Sequence, residues 1–168
     1  MPASCVGATE WTGCYSGQYD LWMPESYEHP AKMAPGLCFR ILDHLEELGL
    51  LRRGQTVLDP MCGTGTTLLA AAGLGHSAIG GELEPKFVAL AQGNAARIAA
   101  KGFSSPICII QGDSRHLSAL LTEQGLVAVS GQIGSLPDRP IVVTSPPYAE
   151  AQSGGGISAA NVGKGNYK

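Results

Sequence analysis

The run VLDPMCGTGTTLL, from Val57 to Leu69, constrains the fold of this chain more than any other stretch. An apolar segment that ends in Asp59 is followed by two glycines, Gly63 and Gly65, and then by residues that favour a helix. Glycines at this spacing let the backbone turn sharply and approach a ligand, and the following helix presents free N–H groups. The run therefore predicts a strand, a ligand-binding turn and a helix in succession.

Short apolar runs alternate with longer helix-forming runs along most of the chain. The predicted strands are QTVLDP (55–60), SAIGGE (77–82), PICIIQGD (106–113) and IVVT (141–144). The predicted helices are GLCFRILDHLEELG (36–49), GTTLLAAAGLG (65–75), PKFVALAQGNAARIAAKG (85–102) and residues 114–123. Strands that alternate with helices are typical of an α/β fold, and we predict a doubly wound, mostly parallel sheet.

The first predicted helix has one apolar face and a clear end. Its apolar face consists of Cys38, Ile41, Leu42, Leu45 and Leu48. Gly49 suits the left-handed position that commonly ends a helix, so we expect the helix to stop there.

Composition divides the chain into three parts. Residues 1–34 form a predicted N-terminal arm, residues 35–150 the predicted α/β domain, and residues 151–168 a Gly-, Ser- and Asn-rich tail that we expect to be flexible. The aromatic residues of the arm are Trp11, Tyr15, Tyr19, Trp22 and Tyr27. Such residues more often pack an arm over a core than line a pocket. Because four strands would leave a sheet edge exposed, we expect the chain to be the N-terminal portion of a longer enzyme.

The overall charge and the cysteines exclude several classes of protein. The net charge is −3, so any surface that binds nucleic-acid phosphates must be local or lie outside this chain. The five cysteines include no C-x-x-C pair, which argues against a disulfide scaffold and a zinc cluster. No apolar run approaches the roughly 18 residues of a membrane span, and the N-terminus lacks a signal pattern. We therefore predict a cytoplasmic protein with no metal and no membrane partner.

Acidic residues stand at the carboxyl ends of three predicted strands. Asp59 precedes the glycines, Glu82 ends the second strand and Asp113 ends the third. No lysine follows the glycines, and Leu68 replaces the third glycine of a dinucleotide fingerprint, which disfavours a phosphate-rich ligand. Three carboxylates at one sheet edge suit S-adenosylmethionine, which carries an amine, a sulfonium and ribose hydroxyls. Two simpler interpretations stay open: Asp59 caps the next helix, and Asp113 is the N-cap before Ser114.

The fourth predicted strand ends in a proline corner, Ser145-Pro146-Pro147-Tyr148 within IVVTSPPYAE. Two adjacent prolines remove two backbone donors and fix two φ angles, so neither a helix nor a strand continues there. The corner is either a rigid turn with a packed tyrosine or the catalytic part of a site. In a parallel sheet it lies at the same edge as the acids, which favours catalysis.

Five segments of the chain, taken in order, form a recognisable set. They are HPAKM (29–33), DPMCGTGTT (59–67), GGELEP (80–85), GDS (112–114) and TSPPY (144–148). This set resembles the successive motifs of S-adenosylmethionine-dependent DNA methyltransferases that act on exocyclic amines, N4 of cytosine or N6 of adenine. The resemblance covers residues 19–150 and implies a Rossmann-like methyltransferase fold. The later motifs of that family and a target-recognition region are not matched.

The resemblance implies cofactor contacts in each matched segment. In the HPAK-like segment and the glycine turn, residues implied to contact the methionine part are His29, Pro30, Lys32, Asp59, Pro60, Met61, Cys62, Gly63, Gly65, Thr66 and Thr67. Glu82 would bind the ribose and Asp113 the adenine, and further contacts are implied at Leu83, Ser114 and Thr144. Two other interpretations are that His29 is structural within its segment and that Cys62 lines the pocket without reacting.

The implied catalytic residues are those of the corner, Ser145, Pro146, Pro147 and Tyr148. An exocyclic amine is a poor nucleophile because its lone pair is conjugated into the ring. The Ser145 hydroxyl and the Pro146 carbonyl can accept its N–H bonds, and Tyr148 can stack on a base drawn out of the duplex. Serine at the first corner position is commoner among the N4-cytosine enzymes. The chain has no Pro-Cys pair, which disfavours carbon-5 methylation.

The sequence thus predicts a DNA methyltransferase, with DNA as its partner and restriction-modification as its setting. Two alternatives remain. One is methylation of an amine of RNA or an amide nitrogen of protein, because a rigid corner of this kind suits planar amines in general. The other is a cofactor-binding fragment or pseudo-enzyme that needs a partner for DNA recognition.

Overall fold

A computed structural model describes residues 10–14, 22–29, 33–126 and 139–145 of the 168-residue chain. Its helices are α1 (Pro35–Glu47), α2 (Thr66–Gly73), α3 (Pro85–Ala100) and α4 (Leu117–Glu123). Its strands are β1 (Val57–Asp59), β2 (Ala78–Glu82), β3 (Ile107–Gln111) and β4 (Ile141–Val142). Two short 3₁₀ helices, Pro24–Glu28 and Ser114–His116, precede α1 and α4.

The four strands form one sheet in the order β3-β2-β1-β4, and every pairing is parallel. Val57 of β1 lies opposite Ala78 of β2 on one side and Ile141 of β4 on the other. The chain winds outward from β1 to β3 and then returns to the opposite side of β1, which confirms the predicted doubly wound, Rossmann-like class. The winding direction reverses between β1 and β4, and open α/β sheets bind ligands at the carboxyl ends of such strands.

Alternate residues of the strands pack into cores on the two faces of the sheet. On one face, Val57 belongs to a buried cluster with Leu42 of α1 and Leu68 of α2. On the other face, Leu58 belongs to a cluster with Leu121 of α4. All residues of β1 and β2 are buried, as expected for parallel strands covered by helices on both sides.

Helix α1 ends where the sequence predicts. Gly49 adopts a φ of +70°, the left-handed conformation that closes a helix. The predicted apolar face is correct for Cys38 and Leu42, which are fully buried. It is wrong for Leu48, which is 50% exposed because the helix has already ended at that position.

The last predicted helix and the last predicted strand differ from the observed elements. The predicted helix over 114–123 begins as the 3₁₀ helix Ser114–His116 and becomes α-helical only from Leu117. The predicted strand over 141–144 pairs as a strand only over Ile141–Val142. The Val143 N–H still donates to the Leu58 carbonyl at 3.0 Å, so the chain follows β1 as far as the edge of the sheet.

The described parts of the arm pack on the helices of the domain. Trp22 is 3% exposed and belongs to a buried cluster with Leu69 of α2. Trp11 packs edge-on against His44, with ring centroids 5.1 Å apart, and the Arg40 guanidinium lies 5.2 Å from the Trp11 ring centroid. Trp22 thus joins the core, as predicted for the arm, whereas Trp11 packs on partly exposed side chains of α1. Tyr15, Tyr19, the Tyr27 side chain and the tail at 151–168 lie outside the described residues.

No helix in the described ranges has the length and apolarity needed to cross a membrane. Within the same ranges, no three His, Cys, Asp or Glu side chains lie close enough together to hold a metal ion. Among the cysteines in these ranges, Cys14, Cys62 and Cys108 carry free thiols.

Candidate functional site

The turn between β1 and α2 has the geometry that its glycine spacing predicts. Gly63 has a φ of +54° and Gly65 a φ of +85°, values that glycine adopts without steric cost. Gly65 immediately precedes α2, and its N–H donates to the Cys62 carbonyl oxygen at 2.8 Å. The turn therefore brings the unpaired N–H groups of the first turn of α2 to the carboxyl edge of the sheet.

Strand β2 makes room for this turn through Gly80. A Cβ on Gly80 would lie 2.7 Å from Cys62 Sγ and 2.5 Å from Leu68 Cδ1, so the turn packs directly on the β2 backbone. Cys62 is 6% exposed, and burial raises the pKa of its thiol, to which the charges of Asp59 and Glu82 add. The thiol therefore stays protonated at neutral pH and is a poor nucleophile.

His29, at the end of the arm, lies against the glycine turn. A Cβ on Gly63 would lie 3.1 Å from His29 Nε2, so any side chain there would have to displace the imidazole. The imidazole also packs edge-on against the Phe87 ring of α3, with centroids 4.2 Å apart and an interplanar angle of 70°. The arm and α3 together thus hold the imidazole beside the turn.

Asp59, the last residue of β1, is a buried carboxylate that is 2% exposed. Its Oδ1 accepts a hydrogen bond from the Met61 N–H at 3.1 Å, and the Thr67 hydroxyl also stabilises the charged form. Burial nevertheless raises the pKa of Asp59 above its ordinary value. Helix α2 begins after Gly65 without a side-chain cap, so the interpretation of Asp59 as its cap is wrong.

Glu82, the last residue of β2, has both carboxylate oxygens in hydrogen bonds to backbone. Oε2 accepts from the Gly63 N–H at 2.9 Å and Oε1 from the Glu84 N–H at 2.8 Å. The residue is 9% exposed. Each carboxylate oxygen has a second lone pair. Glu82 can therefore bond the N–H groups of Gly63 and Glu84 and still accept hydrogen bonds from a ligand.

Asp113 follows β3 and is the N-cap of the 3₁₀ helix Ser114–His116. Its Oδ1 accepts from the Arg115 N–H at 2.9 Å, and the Arg115 guanidinium pairs with both carboxylate oxygens. These bonds lower the pKa of Asp113 to about 2. The N-cap interpretation of Asp113 is confirmed, and its contact with an adenine stays a prediction.

One cleft at the carboxyl edge of the sheet joins the glycine turn to the end of β4. Its lining residues are His29, Met33, Asp59, Met61, Cys62, Gly63, Thr64, Thr66, Thr67 and Ser145. Ser145 begins the proline corner, and it reaches the glycine turn because β4 pairs with β1 in parallel. The cleft lies where the winding direction reverses, at the usual ligand site of an open α/β sheet.

Residues 14–93 match the N6/N4 methylase family model, which is described as DNA methylase. The match covers slightly less than half of the chain and makes this segment similar to that family. The match includes HPAKM, the glycine turn and Glu82, and it ends before Asp113 and Ser145. No curated protein matches the chain.

Three solved structures illustrate what the chain is similar to. An RNA methyltransferase from Salinibacter ruber, in complex with S-adenosyl-L-homocysteine, is 25% identical over 45% of this chain and 48% of its own, with a TM-score of 0.37. TrmN from Thermus thermophilus is 33% identical over 57% of this chain and 27% of its own, with a TM-score of 0.44. A SAM-dependent methyltransferase from Agrobacterium tumefaciens is 19% identical over 70% of this chain and 33% of its own, with a TM-score of 0.47. The chain spans less than half the length of each of these proteins.

The cleft of the methylase segment contains many of the residues that the sequence assigns to the site. Those that line it are His29, Asp59, Met61, Cys62, Gly63, Thr66, Thr67 and Ser145. Those that lie outside the lining are Pro60, Gly65, Glu82, Leu83, Asp113, Ser114 and Thr144. Leu83 projects from the sheet edge and is 58% exposed. Pro30, Lys32, Pro146, Pro147 and Tyr148 lie outside the described residues.

Two residues that line the cleft, Thr64 and Met33, are absent from the sequence-based assignment. Thr64 is 1% exposed, and its hydroxyl and that of Thr66 have no hydrogen-bond partner among the described residues. A buried hydroxyl without a partner in a cleft is available to a polar ligand. Thr64 could have been assigned to the site from its position between the two glycines. Met33 could have been assigned from its position at the end of HPAKM.

Proposed function

We propose that this chain transfers a methyl group from S-adenosylmethionine to an exocyclic amine of a DNA base, with N4 of cytosine favoured over N6 of adenine. The observation that carries the proposal is the position of Ser145. It lies in the cleft formed by the glycine turn and His29, which are parts of the matched methylase segment. A predicted catalytic residue and a predicted cofactor site therefore face the same space.

The residues of the cleft fit the chemistry of S-adenosylmethionine. Asp59, in the cleft, supplies a buried negative charge for its amine or sulfonium. Glu82 lies outside the lining but is bonded to Gly63, and the second lone pairs of its carboxylate oxygens suit ribose hydroxyls. The unpaired hydroxyls of Thr64 and Thr66 can pair with its amino-acid end. When bound, the cofactor supplies an electrophilic methyl group on a sulfonium.

The chain's own contribution to the reaction is orientation and hydrogen bonding. As the nitrogen–carbon bond forms, the carbon–sulfur bond would break, S-adenosylhomocysteine would leave and the amine would lose a proton to solvent. The Ser145 hydroxyl and the Pro146 carbonyl, as acceptors, favour a pyramidal amine nitrogen and stabilise the positive charge that develops on it. Tyr148 stacks on a base that has been flipped from the duplex, an interaction worth about 1–3 kcal/mol per base. Holding the amine in line with the methyl donor removes much of the entropic cost of bringing the two reactants together in the transition state.

The preference for cytosine depends on the serine of the corner. The family resemblance associates Ser145 at this position with N4-cytosine enzymes more often than with N6-adenine enzymes. A role in restriction-modification is part of the same proposal. The net charge of −3 leaves the recognition surface to a local patch or to a region beyond this sequence.

The decisive experiment supplies the protein with S-adenosylmethionine that carries a deuterated methyl group and with DNA free of methylated bases. Digestion to nucleosides and mass spectrometry should show the label on N4-methylcytosine. Label on N6-methyladenine would overturn the cytosine preference alone. Label only on RNA added to a parallel reaction, or no label despite measured cofactor binding, would overturn the proposal for DNA.

A further inference from the structure

Asn94 is a polar residue in the interior of α3 that is fully buried. Asparagine is seldom fully buried, and a buried amide needs hydrogen-bond partners to offset the loss of water. Asn94 does not line the cleft, so contact with a ligand does not account for it. Its partners therefore indicate what it does.

The three hydrogen bonds of Asn94 reach two distant parts of the chain. Its Oδ1 accepts from the Met23 N–H at 2.7 Å. Its Nδ2 donates to Ser26 Oγ at 2.8 Å and to the Thr64 carbonyl oxygen at 2.9 Å. Met23 and Ser26 belong to the arm segment 22–29, and Thr64 lies between the two glycines of the turn. One side chain therefore ties the arm and the glycine turn to α3.

Packing around Asn94 supports this connection. A Cβ on the preceding residue, Gly93, would lie 2.6 Å from Met23 Sδ, so the arm sits directly on the helix backbone at this point. One helical turn earlier, Ala91 Cβ would be 3.3 Å from a Cβ on Gly65. Helix α3 thus meets the arm and the glycine turn along a single face.

Both tied segments form walls of the cleft. The arm segment ends in His29, which lines the cleft and lies against Gly63. Thr64 lines the cleft with its side chain while its carbonyl is held by Asn94. A change at Asn94 would therefore reach the cleft from two sides.

We propose that Asn94 is a positioning residue of the cleft. By holding the arm segment on the glycine turn, it sets the distance between His29 and the turn and fixes the peptide between Thr64 and Gly65. The identity of the ligand in this inference rests on the proposed function. The connection itself rests only on the hydrogen bonds of Asn94.

The test compares Asn94→Ala with Leu121→Ala, a control at a fully buried residue of α4 on the opposite face of the sheet. Both variants lose stability, so each is studied well below its own melting temperature. In Asn94→Ala, amide hydrogen exchange should be faster at Met23, whose N–H loses its acceptor, and at Gly63 and Gly65. Amides of β2 and β3 should keep their protection. In Leu121→Ala the arm and the glycine turn should exchange as in the natural protein.

Calorimetric titration with S-adenosylhomocysteine provides the second measurement. Asn94→Ala should weaken binding about tenfold, which corresponds to about 1.4 kcal/mol, and Leu121→Ala should leave binding unchanged. Ser26→Ala removes one of the three hydrogen bonds and provides a milder variant that keeps the test decisive if Asn94→Ala does not fold. It should give faster exchange at the arm, and its binding should be weakened less than in Asn94→Ala.

The two measurements separate the inference from the proposed function. If the natural protein binds no S-adenosylhomocysteine, the proposed cofactor is wrong, and hydrogen exchange alone decides the role of Asn94. If amide exchange at Met23 and at the glycine turn is unchanged in both Asn94→Ala and Ser26→Ala, the positioning role is wrong. Equal weakening of binding in Asn94→Ala and Leu121→Ala would also overturn it, because the effect would then be general loss of stability.

Discussion

Glu82 Oε2 accepts a hydrogen bond from the Gly63 N–H at 2.9 Å, and this bond joins the end of β2 to the glycine turn that follows β1. The other oxygen accepts from the Glu84 N–H at 2.8 Å and fixes the turn into α3. The acid proposed to bind the ribose thus also shapes the turn proposed to bind the methionine part. Both halves of the proposed cofactor site depend on one carboxylate.

Glu82→Gln is expected to reduce both stability and cofactor affinity. Glutamine has the same shape, but its terminal NH₂ cannot accept, so either Gly63 or Glu84 loses the partner of its N–H. A buried donor without a partner costs about 1–3 kcal/mol, which should appear in urea unfolding. Calorimetry with S-adenosylhomocysteine should show weaker binding. The control is Glu84→Gln, which makes the same charge change on an exposed side chain two residues away. Equal effects of the two changes would contradict this role of Glu82.

Asp59→Asn is expected to stabilise the protein at neutral pH and to lose that advantage in acid. Burial raises the pKa of Asp59 above its ordinary value of 3.8, so the folded state holds the proton more tightly than the unfolded state. The stability that this contributes is complete below the unfolded pKa and is lost as the pH rises through the folded pKa. Asparagine does not titrate and avoids that loss.

Urea unfolding of the natural protein and of Asp59→Asn, at acidic and at neutral pH, measures this difference. The gain in the free energy of unfolding should grow with pH and then level off above the folded-state pKa of Asp59. A gain of the same size at every pH would show that the carboxyl is not the source. Cofactor affinity should fall in the same variant, because the cleft loses its buried negative charge.

The sequence was sufficient to predict the sheet and the glycine turn because both depend on local patterns. Apolar runs and two glycines are visible within a few residues, and strand ends of a parallel sheet meet at one edge whatever the details. The extent of elements was less predictable: Leu48 continues the helical period, yet the helix ends before it. The spacing of apolar residues does not by itself show at which residue a helix ends.

Contacts between distant segments were not predictable in the same way. The bond from the Gly63 N–H to Glu82 joins residues that are adjacent only because β1 and β2 pair in parallel. Asn94 looks like any polar residue of an amphipathic helix until the arm is placed beside it. No local pattern indicates which backbone group a buried side chain will meet. The roles of such residues therefore emerged only from the structure.

Gly63→Ala is expected to be destabilising for two separable reasons. Its φ of +54° is strained for a residue with a Cβ, at a cost of about 1–2 kcal/mol, and that Cβ would lie 3.1 Å from His29 Nε2. Adding His29→Ala should restore only the part of the lost stability that is due to the contact with the imidazole. Thermal and urea unfolding of the two single variants and the double variant give the coupling between the two positions.

Gly65→Ala provides the control for this coupling within the same turn. Its φ of +85° is also strained, but its added Cβ would meet Ala91 Cβ at 3.3 Å and not the imidazole. The cost of Gly65→Ala should therefore be the same with or without His29→Ala. Coupling of His29 to both glycines, or to neither, would show that the imidazole does not pack on Gly63 specifically.

Ser145→Ala is expected to slow methyl transfer while cofactor binding stays intact. The hydroxyl is proposed to act on the amine in the transition state, and loss of one such preorganised partner typically costs about 10²-fold in kcat. Label transfer to DNA under saturating cofactor measures kcat, and calorimetry with S-adenosylhomocysteine measures binding separately. Ser118→Ala, at an exposed serine of α4 outside the cleft lining, is the control and should leave kcat unchanged. If Ser145→Ala instead weakens cofactor binding with kcat preserved, Ser145 belongs to the cofactor site and the acceptor for the amine must be sought elsewhere in the corner.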